Sequence, residues 1–128
     1  MKIHRGSRKA TGFTFIELII VITIIGLLVA IAVPGYIRIR DNSRLSVIYS
    51  NLRTIEHAKS EWALETRKTT GATVASITIL NSYFRSSPLH DVLNETYFPN
   101  PVGTPAEAAL PAGVAIGPYA PGAKIPAP

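Results

Sequence analysis

Gly12-Phe13-Thr14-Phe15-Ile16-Glu17-Leu18 opens a predominantly apolar stretch that runs on through isoleucine, valine and leucine to Val33, and Glu17 is its only charge. As a helix, residues 13–33 would rise about 31 Å, close to the hydrocarbon thickness of a bilayer. A carboxylate within such a span is anomalous. An ionised acid at mid-bilayer costs about 2.5 to 3.5 kcal/mol even on the lenient insertion scale, so Glu17 needs a partner or a purpose.

The residues before this stretch supply its orientation. Lys2, Arg5, Arg8 and Lys9 precede Gly12 with no acid among them, which favours a cytoplasmic N-terminus, although Arg38, Arg40 and Arg44 beyond the span weaken the asymmetry. The same four residues account for most of the formal charge of +5. From Phe13 onward nine lysines and arginines face eight acids, so the basic balance gives no warrant for a phosphate-binding domain, and nucleic acid is not expected as a partner. The chain has 128 residues and no cysteine, which bounds it to one small domain beyond the span without disulfides or thiolate metal sites.

After the span the pattern changes. Pro34-Gly35 mark a bend or a local loosening, since proline removes a helical donor and crowds the preceding turn. Leu45, Ile48, Leu52, Ile55 and Trp62 then recur at helical spacing, with Arg44, Arg53, Glu56, Lys59, Glu61 and Glu65 at intervening, solvent-side positions. The helix is expected to run to about Thr66, and Lys68-Thr69-Thr70-Gly71 read as its stop. Residues 72–84 could form a short strand or a short helix, which periodicity does not separate; they lean towards a helix capped by Thr73 or Ser76. Beyond Ser87 lie nine of the ten prolines, so no long element fits, yet Val102, Leu110, Val114, Ile116, Tyr119 and Ile125 argue against a solvated arm. Short extended pieces are expected at residues 96–98 and 114–116, laid against the apolar face of the helix.

Three bland readings of residues 1–33 compete. A secretory signal is imitated by the basic start, the apolar run and Ala30-Ile31-Ala32, but the run is too long and opens on a glutamate. A plain single-pass anchor leaves Glu17 unexplained. A soluble core helix would need more chain than remains to enclose it.

The segment Gly12-Phe13-Thr14-Phe15-Ile16-Glu17-Leu18, with its basic leader and its apolar continuation, closely resembles the prepilin processing motif of type IV pilins and type II secretion pseudopilins. The resemblance implies an α+β, pilin-like lollipop. Its parts would be a leader at residues 1–12, a transmembrane and filament-core helix at 13–35, an amphipathic second half at 36–70 and a small head with a Pro-rich tail at 71–128. It implies cleavage between Gly12 and Phe13 by a prepilin peptidase, methylation of the new Phe13 amine, and pairing of Glu17 with the Phe13 amine of a neighbouring subunit. Gly26 and Pro34 match positions where pilin helices loosen on assembly. The implied partners are identical subunits, the peptidase, an inner-membrane assembly platform and, before assembly, the bilayer. The implied location is the bacterial inner membrane, then a periplasmic or cell-surface filament.

Elementary chemistry agrees with this carry-over. Glycine before the scissile bond lets a protease approach the backbone. A buried cation and a buried anion become tolerable when they meet, and removing one typically costs about 3 to 5 kcal/mol. Gly26 and Ala30 add a small-xxx-small spacing for close helix approach. Asn42-Ser43-Arg44, Asn51-Leu52-Arg53, residues 58–63 and the tail from Glu95 to Pro105 further resemble small pilin-like proteins. The chain departs from many major pilins in lacking the cysteine pair that closes the C-terminal loop. No cofactor is expected; major pseudopilins can use calcium in that loop, for which Asp91, Glu95 and Glu107 are the available carboxylates.

The remaining constellations are weaker. His57 and Glu61 lie one helical turn apart but lack a third ligand. Trp62 is in phase with the core positions. His90-Asp91 has no nucleophile beside it, so no enzyme is read. Asn94-Glu95-Thr96 fits a glycosylation acceptor only in the right host. Arg38, Arg40 and Arg44, with Asp41 among them, read as a juxtamembrane face. Pilus and secretion pseudopilus are left open by the sequence, and the rival of another class is a membrane-anchored binding module that does not polymerise.

Overall fold

The computed structural model describes residues 12–84 and 89–128. The leader, apart from Gly12, lies outside the described residues. The fold is α+β: a long N-terminal helix that is apolar in its first half, and a small head with a three-stranded antiparallel sheet. The chain divides after Tyr36 into two compact units.

In the first unit, helix α1 (Phe15–Glu65) begins, and residues 15–36 are all exposed in the single chain. Thr23 is disarmed locally, its hydroxyl donating to the Ile19 carbonyl at 2.7 Å. The helical assignment passes through Pro34 without interruption.

The second unit begins at Ile37 and holds the rest of α1, a 3₁₀ helix η1 (Ile77–Tyr83), and strands β1 (Thr96–Phe98), β2 (Glu107–Ala109) and β3 (Lys124–Pro126). Ile48, Leu52, Ile55 and Trp62 are buried, as the spacing predicts, Ala58 and Ala63 join them, and Leu45 is partly buried against the same core. The helix ends at Glu65, beside the expected Thr66 and ahead of the Lys68-Gly71 stop. Arg67 takes a left-handed φ of 53°, the Lys68 amide donates to the Ala63 carbonyl at 2.8 Å and the Arg67 amide to Leu64 at 3.3 Å, a Schellman closure built on arginine instead of glycine. Gly71 instead turns the chain beyond it, with φ of 89° and its amide on the Val102 carbonyl at 2.7 Å. Residues 72–84 are helical only as η1, whose cap is Ser76, accepting from the Thr78 amide at 3.2 Å.

The sheet order is β1-β2-β3, and Tyr97, Ala108 and Ile125 are register partners across it. By the two-residue period of strands these three share one face, and Ala108 and Ile125 are wholly buried with the helix stripe in a single core. The opposite face carries the Glu107–Lys124 pair at 3.0 Å, with the Lys124 ammonium 5.5 Å from the ring centre of Phe98. Strand β1 falls where the sequence placed it. Residues 114–116 do not form a strand: only Ile116 bridges, to Tyr119, across a tight turn. The second and third strands lie instead at alanine- and proline-rich positions of weak strand propensity, which pairing and burial outweigh.

Polar contacts hold the tail to the helix in the absence of cysteine. The Tyr49 and Tyr119 hydroxyls meet at 2.9 Å, and Asn51 donates to the His90 carbonyl at 2.9 Å and to the Tyr97 hydroxyl at 2.8 Å. Tyr97 in turn donates to Glu95 at 2.7 Å, and the same carboxylate accepts the Leu93 amide at 2.8 Å and the Val92 amide at 3.2 Å. Lys59, expected on the solvent side, is buried at 2% exposure. Each of its three ammonium protons has an acceptor: Glu56 Oε1 at 2.8 Å, the Pro99 carbonyl at 3.0 Å and the Thr104 carbonyl at 2.6 Å. Burial of the charge becomes tolerable because it is both paired and fully hydrogen-bonded.

Burial is the main reason the Tyr97 hydroxyl is held well above the usual tyrosine range; the Glu95 carboxylate, and Asp91 beyond it, add to this, while the Asn51 donor opposes it. The folded state therefore keeps a proton that the unfolded chain releases near pH 10. Its stabilising contribution is complete below that pH and is lost as pH rises, by up to about 1.4 kcal/mol per pH unit. Alkaline melts should fall steeply above pH 10, and Tyr97→Phe should flatten that limb. The limb should not vanish, because the Tyr119 hydroxyl also raises Tyr49. An unchanged alkaline slope in the variant would contradict this account.

Candidate assembly site at the start of the helix

Gly12, Phe13 and Thr14 are extended and exposed, and α1 begins at Phe15. Thr14 is the N-cap. Its hydroxyl accepts the Glu17 amide at 3.3 Å, while Glu17 Oε2 accepts the Thr14 amide at 2.8 Å and the Thr14 hydroxyl at 2.9 Å. This is a capping box: threonine at the cap and glutamate three residues on satisfy one another's orphan helix-end donors. Thr14-Phe15-Ile16-Glu17 displays the required T-x-x-E spacing, so the cap was readable from the sequence although the charge of Glu17 drew the reading elsewhere.

The geometry gives Glu17 a local role within one chain and leaves it another. Both Thr14 bonds fall on Oε2, so Oε1 is directed to neither of them. A negative group in the first turn also complements the positive end of the helix dipole. Phe13, adjacent to the cap, is 85% exposed. Around Gly26 and Gly35 nothing lies within 4 Å of where a Cβ would stand, so both present open helix surface. Every large apolar side chain from Phe15 to Val33 is exposed in the isolated chain, and this part of α1 is long and apolar enough to cross a membrane.

The other candidate residues are not brought together. Among the described residues no three of histidine, aspartate and glutamate gather closely enough to hold a metal ion. Glu95 is committed to the 92–97 turn, and Glu107 to Lys124 across the sheet. Arg40 bonds Asp41 at 3.1 Å on the helix surface. Trp62 is core, at 9% exposure. Lys59 escaped the sequence reading because nothing in helical spacing indicates that carbonyls 40 and 45 residues away will enclose it.

A capped, exposed apolar helix start and a small α+β head are the two parts expected of a pilin-like chain. Residues 7–33 match the prokaryotic N-terminal methylation motif. The chain is 38% identical over 65 residues to the type IV major pilin protein PilA of Myxococcus xanthus, a match covering 51% of this chain and 30% of that protein. It is 44% identical over 50 residues to the type IV narrow pilus major component PilA5 of Thermus thermophilus, covering 39% of this chain and 43% of that protein. The matched region thus spans less than half the length of either relative. No solved structure gives a significant match. Over part of its length, then, the chain is similar to type IV pilins.

Proposed function

We propose that this chain is the precursor of a filament subunit of the type IV pilus kind, with a structural rather than an enzymatic role. A prepilin peptidase removes residues 1–12 on the cytoplasmic side and methylates the Phe13 amine. The bilayer holds the processed subunit by residues 13–35 until an inner-membrane platform adds it to the filament. There Glu17 of one subunit meets the Phe13 amine of the next, and Gly26 and Pro34 let the helix loosen as neighbours close around it. The observation that carries this reading is the single carboxylate in the first turn of a helix whose residues 15–33 are otherwise uncharged and all exposed. A cation produced beside it by cleavage offers its charge a partner in an apolar filament core. The contact joins different surfaces of identical subunits, a geometry that grows into open helices when rotation does not close.

Both relatives are named as pilus components, which favours a pilus over a secretion pseudopilus. Mass spectrometry of filaments from the native host should detect a chain that begins at N-methylated Phe13. Assembled material that retains Met1, or a purified protein that never polymerises beside an active peptidase, would overturn the reading.

A further inference from the structure

The loop that follows β1 has the donor set of a cation site. Carbonyls of Pro99 and Thr104 converge with Glu56 Oε1 on one point, occupied by the Lys59 ammonium at 2.6 to 3.0 Å. The loop is shaped for this convergence. Asn100 takes a left-handed φ of 52° and its side chain donates to the Pro105 carbonyl at 2.8 Å, while the Thr104 amide donates to Pro101 at 2.9 Å. Gly103, at φ of 89°, packs so closely on Thr70 that an added Cβ would stand 2.5 Å from its Cγ2. Glu56 Oε1 closes the ring by accepting the Ala106 amide as well. Two carbonyl dipoles and one carboxylate, 34% exposed, point at a side chain only 2% exposed and repel one another unless a positive charge lies between them.

We propose that residues 99–106, together with Glu56, form a cation-binding loop whose cation is the ammonium group of Lys59, and that this site, emptied of its side chain, takes up a primary alkylammonium ion. The internal cation organises the end of the head that disulfides or bound metal would otherwise secure. A lysine that merely snorkelled past the core would leave its charge in water; here 2% of Lys59 remains exposed.

The test uses the full chain in detergent micelles, with melting followed by the fluorescence of Trp62, the chain's one tryptophan, which is buried in the core. Lys59→Ala should lower Tm by roughly 15 to 30 °C, the scale expected for a buried pair that has lost one partner. Propylammonium supplies the three missing methylenes and the charge, and at millimolar concentration should recover several degrees of that loss. The neutral isostere 1-propanol should recover none. Equal recovery by both, or recovery by neither, overturns the proposal. Lys59→Met, which keeps the volume without the charge, decides the matter if the alanine variant does not fold: a Tm below that of the wild type is expected, and a Tm at or above it overturns the assignment.

Discussion

Glu17→Ala is expected to abolish filament formation while leaving the chain in the membrane. Removing the carboxylate lightens insertion, because an ionised acid opposes it by about 2.5 to 3.5 kcal/mol. In a filament it strands the amine of a neighbouring Phe13, at about 3 to 5 kcal/mol for each contact, a penalty that recurs at every subunit added. The capping box complicates this substitution, since a lost cap itself costs about 0.5 to 2 kcal/mol. Two companions separate the effects. Glu17→Gln can still cap the helix, as glutamine serves in the same box, but carries no charge. Thr14→Ala loses most of the cap and keeps the charge. Filament yield measured beside membrane-fraction abundance should fall as far for Glu17→Gln as for Glu17→Ala, and much less for Thr14→Ala. Normal filaments from Glu17→Gln would show that the cap, and not the charge pair, is what assembly requires.

Leu52→Ala should be the most damaging simple truncation in the head. Leu52 has no exposed surface and lies in the helix stripe between Ile48 and Ile55, all three in the core that also holds Ala108 and Ile125. Leucine-to-alanine changes at such sites cost about 2.7 to 5 kcal/mol, the spread reflecting how far the cavity collapses. With total stabilities of about 5 to 15 kcal/mol, this is a large share, and Tm should fall by roughly 15 to 30 °C. Leu64, on the same helix but 81% exposed, provides the control. Leu64→Ala should remain within about 0.5 kcal/mol of the wild type in detergent-solubilised monomer. Similar melting curves for the two variants would mean that the head is not packed as described.

What could be read in the sequence was set by how local each signal is. The apolar run, the anomalous Glu17 and the stripe through Ile48, Leu52 and Ile55 are carried by neighbours within a few turns, and they give the helix and its buried face. The end of the helix near Thr66 was legible, but the turn that closes it was not, because Arg67 adopts a conformation usually left to glycine. Strands at residues 107–109 and 124–126 arise from register across the sheet, which an alanine pair and a proline do not advertise. Lys59 and Glu56 fall among the polar positions between the apolar ones, and the tail carbonyls that enclose Lys59 are remote in the chain. Thr14 is a different case, a local signal that the charge three residues away overshadowed.

The attachment of the tail to the helix through the tyrosine pair, the asparagine and the buried ammonium has a mechanical consequence. Every link is an exchangeable, non-covalent contact in a chain with no thiols. The head therefore needs no oxidant or disulfide isomerase to close, and reductant leaves it unaltered. Under tension such a head can yield and re-form with the same partners, since no bond rearrangement stands between the stretched and the closed chain.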